Sequence, residues 1–166
     1  MGYTHYFHFK GNPAEIENGK EKFRKAVELF KKGLKKAGNK VKVTYNVYEK
    51  DYPYALKETV TKEVPLNLCG GNGFGEPVIT DTTLVFNGDR SNGHWCETFF
   101  LTSERELEGI ESFCKTEREP YDFAVCLALR CVKHFFGDDF YLSSDGDIVG
   151  GEEGWGTSKE IFDAIV

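Results

Sequence analysis

A chain of 166 residues, 40% hydrophobic and 29% charged, is long enough to bury one core and too apolar to be wholly disordered. No run reaches the roughly 18 apolar residues of a membrane span, and the start, MGYTHYFHFK, lacks the basic-then-apolar order of a secretory signal. The net charge of −6 hides an asymmetry: residues 1–62 hold 14 Lys and Arg against 7 Asp and Glu, residues 63–166 hold 7 against 20. The acidic C-terminal part repels phosphates and argues against direct nucleic-acid binding there.

Residues 3–9 alternate and are rich in aromatics, which predicts a strand with Tyr3, His5 and Phe7 on one face and His8 on the other. Asn12, Pro13 and Glu15 read as the start of a helix that runs through Ile16, Phe23, Val27, Phe30 and Leu34 and stops at Gly38-Asn39. Val41, Val43, Tyr45 and Val47 alternate as a strand with one wet face. Residues 49–68, punctuated by Pro53 and Pro65, are ambiguous. The stretch from Cys69 to Pro77, with Gly70, Gly71, Gly73 and Gly75, can only be loop.

A hairpin follows: residues 82–86, a turn at Asn87-Gly88, and a return strand from Trp95 to Leu101. Ser103 and Glu106 cap a short helix with Leu107, Ile110 and Phe113 inward. A long helix is expected over about residues 117–136, capped by Thr116 and Glu119, with Phe123, Leu127, Cys131 and Phe135 as its apolar stripe. Phe140 and Leu142 suggest a strand, Asp145-Gly146 a turn, and Thr157 with Glu160 a terminal helix. No repeat or linker divides the chain. The expectation is a single α+β domain, with an antiparallel or mixed β-sheet and helices packed on one face.

The five cysteines, at 69, 96, 114, 126 and 131, include no CxxC pair, so free buried thiols in a reducing, cytoplasmic compartment are expected rather than zinc or disulfides. Ser143-Ser144-Asp145-Gly146-Asp147 lacks the closing Glu of a calcium loop. The loop Gly71-Asn72-Gly73-Phe74-Gly75 is neither a Walker loop nor a dinucleotide fingerprint, because Glu76-Pro77 stands where a helix should open. Its backbone N–H groups could still converge on an anion.

Several of these segments together (MGYTHYF, Gly-Phe-Gly-Glu-Pro, Phe-Asn-Gly, His-x-x-Glu-Thr-Phe, Phe-Cys-Lys-Thr-x-x-x-Pro-Tyr-Asp and Ser-Ser-Asp-Gly) resemble a group of uncharacterised small proteins of bacteriophage and bacterial genomes that begin MGYTHY. The likeness covers residues 1–10 and about 70–150, with Phe7 where that group usually has Trp. It implies a phage or bacterial cytoplasmic setting and places His5, His94, Glu97, Lys115, Tyr121, Asp122 and Asp145 within shared motifs. It brings no activity or cofactor with it.

Two readings of function follow. In the first, a pocket takes a small anionic, nucleotide-like ligand. Lys115, Gly73, Phe74, Gly75 and Asp145 contact it, Tyr121, Trp95 or Phe74 stack on it, and His5, His94, Glu97 and Asp122 are acid–base candidates for a hydrolase or transferase. In the second, the chain is no enzyme but a phage-type inhibitor of host defence. It would set the acidic stretch 138–163, eight Asp and Glu against one Lys, on the basic groove of a host protein.

Overall fold

The computed structural model describes residues 2–52, 54–149 and 154–166, with the backbone alone for 44–46. Pro53, Glu152, Glu153 and the Tyr45 side chain of the expected alternation thus lie outside the described residues. The chain folds as an α+β domain of three helices and three small antiparallel sheets. The expected sheet is divided because the hairpins pair only within themselves, whereas the N-terminal strand pairs with segments more than a hundred residues away.

Strand β1 (Thr4–Phe9) is the middle of the sheet that carries the chemistry. It lies between β7 (Phe113–Lys115) and β8 (Phe140–Ser144), so that His5 faces Cys114 across one ladder and Ser144 across the other. The alternation holds from His5 onward: Tyr3, His5, Phe7 and Phe9 are buried, while Tyr6 and His8 face out, and Thr4 is buried as well. Strands β2 (Lys40–Tyr48) and β3 (Leu56–Pro65) make a long two-stranded arm, which resolves the ambiguity at 49–68. Its base buries Val41, and its tip leaves Tyr48, Tyr52, Tyr54 and Leu56 exposed.

Strands β4 (Val78–Ile79), β5 (Thr83–Phe86) and β6 (Phe99–Thr102) form the third sheet, with Leu84 opposite Leu101 and Phe86 opposite Phe99. The return strand begins at Phe99 and not at Trp95. Residues 87–98 instead form a folded loop with a 3-10 turn at Arg90–Asn92. Asn87 holds that loop in place of strand pairing. Its Nδ2 donates to the Cys96 carbonyl at 2.9 Å, and its Oδ1 accepts from the N–H groups of Gly88 and Cys96.

Helix α1 (Gly19–Ala37) starts later than its Asn-Pro signal suggested. Asn12 Oδ1 accepts the Ala14 N–H in a local turn, and Asn18 adopts a left-handed conformation that interrupts any helix begun at Pro13. Helix α2 (Asp122–Phe136) is likewise short of its expected start, because Glu117 and Arg118 have positive φ. The expected helix after Ser103 is replaced by a 3-10 turn at Gly109–Ser112 leading into β7, and Ile110 points out, 81% exposed. Helix α3 (Gly154–Ile165) includes Thr157 in its body rather than at its cap.

Helix α2 is the centre of the core. It contacts α1, α3 and β8, and Phe123 to Leu129 are all buried, so it has no wet stripe over its first two turns. Arg130 ties it to its neighbours: its guanidinium donates to Ser158 Oγ and to the carbonyls of Ile148 and Trp155. That clamp fixes Trp155 beside β1 and positions the polar cluster described next.

Candidate functional site

The sequence motifs meet at His5. Its ring is fully buried, with Nε2 2.6 Å from Asp122 Oδ1 and Nδ1 2.7 Å from Ser144 Oγ. The rings of Tyr3 and Trp155 stand edge-on to it at 5.2 and 5.1 Å. Asp122 also accepts from Thr116 Oγ1 at 2.6 Å and from the Cys126 thiol at 3.7 Å. Ser144 Oγ accepts two N–H groups, Gly146 N and Trp155 Nε1, each at 2.9 Å.

These bonds determine the proton positions. A serine hydroxyl has two lone pairs and one proton. With both lone pairs of Ser144 taken by N–H donors, its proton goes to His5 Nδ1. His5 then carries its own proton on Nε2 and donates it to Asp122. The result has the composition of a Ser-His-Asp triad without its chemistry, because an attacking serine oxygen needs a free lone pair and a path to substrate. The Ser144 oxygen has no lone pair free.

His5, Asp122 and Cys126 also place one donor atom each within 4.8 Å of the others, the makings of a metal site that sequence spacing did not show. The donors are nonetheless engaged with one another. A 2.6 Å His–Asp contact is a hydrogen bond, closer than the roughly 3.3 Å between two ligands on one tetrahedral ion with 2.0 Å bonds. Burial and the neighbouring Asp122 also push the Cys126 thiol well above its ordinary pKa, which keeps it protonated. Gly154 packs against this cluster; a Cβ there would lie 2.2 Å from Asp122 Oδ2.

Two of the open clefts outside the cluster are lined by expected site residues. One, of about 330 Å³, is lined by Pro65, Asn67, Asp89, Asn92, His94 and Tyr121. Asp89 there is structural: its carboxylate accepts from Ser91, Asn67 and Asn92, and those bonds hold its pKa below the usual range. Burial lifts the nearby Glu119 carboxyl, and His94 partly offsets that rise.

The other cleft, of about 390 Å³, runs from the glycine loop to Phe113. Gly71, Asn72, Arg90, Trp95, Cys96, Glu97 and Ile110 are among the residues that line it. Arg90 lies over the Trp95 ring, its guanidinium carbon 4.1 Å from the centroid, and 5.6 Å from the Phe74 ring. The loop is shaped to this arginine. Gly73 accepts the Arg90 N–H, and a Cβ on Gly73 would lie 2.6 Å from Arg90 Cβ. Thr98 Oγ1 donates to the Gly71 carbonyl and closes the loop's other end.

The expected site residues are therefore shared among several places. His5 and Asp122 come together, but inside the core. His94 and Tyr121 line one cleft; Trp95 and Glu97 line the other, with Phe74 on the second ring over Arg90. Gly73 backs Arg90, and Gly75 supplies a positive φ in the same loop. Lys115 is paired with Glu117 at 3.0 Å, and Asp145 accepts the Thr4 N–H at 3.0 Å in the turn after β8. Tyr121 is buried and donates its hydroxyl proton to the Glu97 carbonyl at 2.6 Å.

Residues not anticipated are Thr116, Cys126, Ser144 and Trp155 in the cluster, and Arg90 in the cleft. Thr116 and Ser144 lay within motifs but read as a cap and a turn. The one cue to Arg90 was its rarity as a cation in the acidic part of the chain. Comparisons with family models, curated proteins and solved structures give no match.

Proposed function

We propose that this chain is a cytoplasmic binding domain that takes a small anionic ligand in the cleft between the glycine loop and residues 95–98. One observation carries the reading: the Arg90 side chain is oriented by two aromatic rings, and its guanidinium makes no hydrogen bond or ion pair among the described residues. A guanidinium stacked by its face keeps its edge of N–H donors free, and that edge matches a phosphate or carboxylate. A cleft of about 390 Å³ suits a ligand of nucleotide size. The buried state of His5 and Asp122 favours binding over catalysis by those two residues. The five free thiols fit a reducing cytoplasm.

The test uses the two tryptophans. Trp155 is sealed in the core, whereas Trp95 is 40% exposed in the cleft, so a change in fluorescence on adding ligand reports Trp95. Titration with nucleoside monophosphates should perturb that emission, and Arg90→Ala should weaken binding by about tenfold or more, as loss of a charged hydrogen bond does. Binding unaffected by Arg90→Ala would refute the reading.

A further inference from the structure

The cleft carries a second, opposite determinant. Glu97 lines the same cleft as Trp95 and is hydrogen-bonded through backbone and side chain. Its N–H donates to the Lys115 carbonyl at 3.0 Å, its carbonyl accepts from Tyr121, and its Oε2 accepts the Lys115 N–H at 2.7 Å. Among the described residues no cation pairs with this carboxylate, although Arg90 lines the same cleft. A site built for a simple anion would not place a carboxylate in the same cleft as its arginine, since the carboxylate and the anion repel. The pair instead fits a ligand with an acidic group at one end and N–H donors at the other. Trp95, Ile110 and Phe113 give the same cleft an apolar lining.

We infer that the ligand is a guanine nucleotide, a deepening that rests on the anion-binding reading above. Its phosphate meets the Arg90 guanidinium, its base lies along the apolar wall, and its N1–H and N2–H₂ donate to Glu97. Guanine is the nucleobase whose pairing edge offers two parallel N–H donors, the complement of a carboxylate. The Lys115 N–H occupies one lone pair of Oε2 and leaves three acceptor positions on the two oxygens.

The experiment titrates the full chain and its Glu97→Gln and Arg90→Ala variants with GMP, IMP, AMP and inorganic phosphate, following Trp95 emission. The expected order is GMP over IMP over AMP. GMP should exceed AMP by at least about tenfold, the discrimination of a good bidentate contact. Glu97→Gln keeps the acceptor for the Lys115 N–H and should erase that preference by weakening GMP, while AMP and phosphate, relieved of the carboxylate's repulsion, bind at least as tightly as before. Equal binding of GMP and AMP, with loss on Arg90→Ala, would overturn the guanine assignment and leave the anion cleft standing. No binding of any of the four would overturn both.

Discussion

At the scale of single residues, the best-determined feature is the hydrogen-bond closure around Ser144. A hydroxyl that donates to His5 and accepts from Gly146 and Trp155 has no capacity left for a substrate. Ser144→Ala should therefore behave as a lesion in the core. It strands a buried indole N–H and removes the donor to His5 Nδ1, and each buried unsatisfied group costs about 1–3 kcal/mol. A loss of about 3 kcal/mol in urea unfolding is expected, with binding by the Arg90 cleft retained. A variant that keeps wild-type stability would mean that Ser144 is not held in this way. The sequence made part of this legible. The alternation of β1 puts His5 on the face of Tyr3 and Phe7, and a buried histidine demands a partner, which Asp122 supplies. Ser144 and Trp155 were beyond reach because they arrive from strand and helix segments whose register only tertiary packing decides.

At the scale of elements, the approach of the three helices turns on Gly33. A Cβ there would lie 2.7 Å from Leu127 Cδ2 and 3.1 Å from Ile165 Cδ1, so α1 meets α2 and α3 at a point with no room for a methyl group. Alanine would favour the helix by about 0.5–1 kcal/mol, but overpacking a tight core costs about 1–3 kcal/mol. Gly33→Ala should lose about 1 kcal/mol net. The clash can be separated from the propensity with Leu127→Ala, which alone costs about 2–5 kcal/mol. In that background the cavity accepts the new methyl group, and Gly33→Ala should become stabilising. If the two losses simply add, the close approach is not what Gly33 is for. Element type was readable from period and turn chemistry for β1, β2, β5, β8 and all three helices. Boundaries were not, wherever a side chain diverted a local signal. Asn12 closes its own turn, Thr116 gives its hydroxyl to Asp122, and Asn87 replaces strand pairing over the segment that holds Arg90 and Trp95. The cleft is thus built from the stretch where the strand pattern failed, which is why the glycine loop drew attention and its arginine did not.

At the scale of the whole molecule, the core holds several buried thiols, and that ties stability to pH on the alkaline side. Burial pushes Cys114 and Cys126 well above the ordinary thiol range and Cys131 up to about 12. Burial also raises the Tyr121 phenol. Unfolded, the three thiols ionise near about 8.5. A group whose folded pKa is raised contributes its full stability below the unfolded pKa, and that contribution is lost as pH climbs toward the folded one. The folded protein should therefore be pH-insensitive in this respect up to about pH 8 and weaken above it, by about 2 kcal/mol per thiol at pH 10. Urea midpoints measured from pH 7 to 10 should fall accordingly, and replacing Cys131 with Ala should lower stability at neutral pH but flatten the alkaline slope, since one of the thiols whose ionisation burial suppresses is gone. An unchanged slope in that variant would show that Cys131 ionises in the folded state as readily as in the unfolded one, and that the packing around α2 admits water.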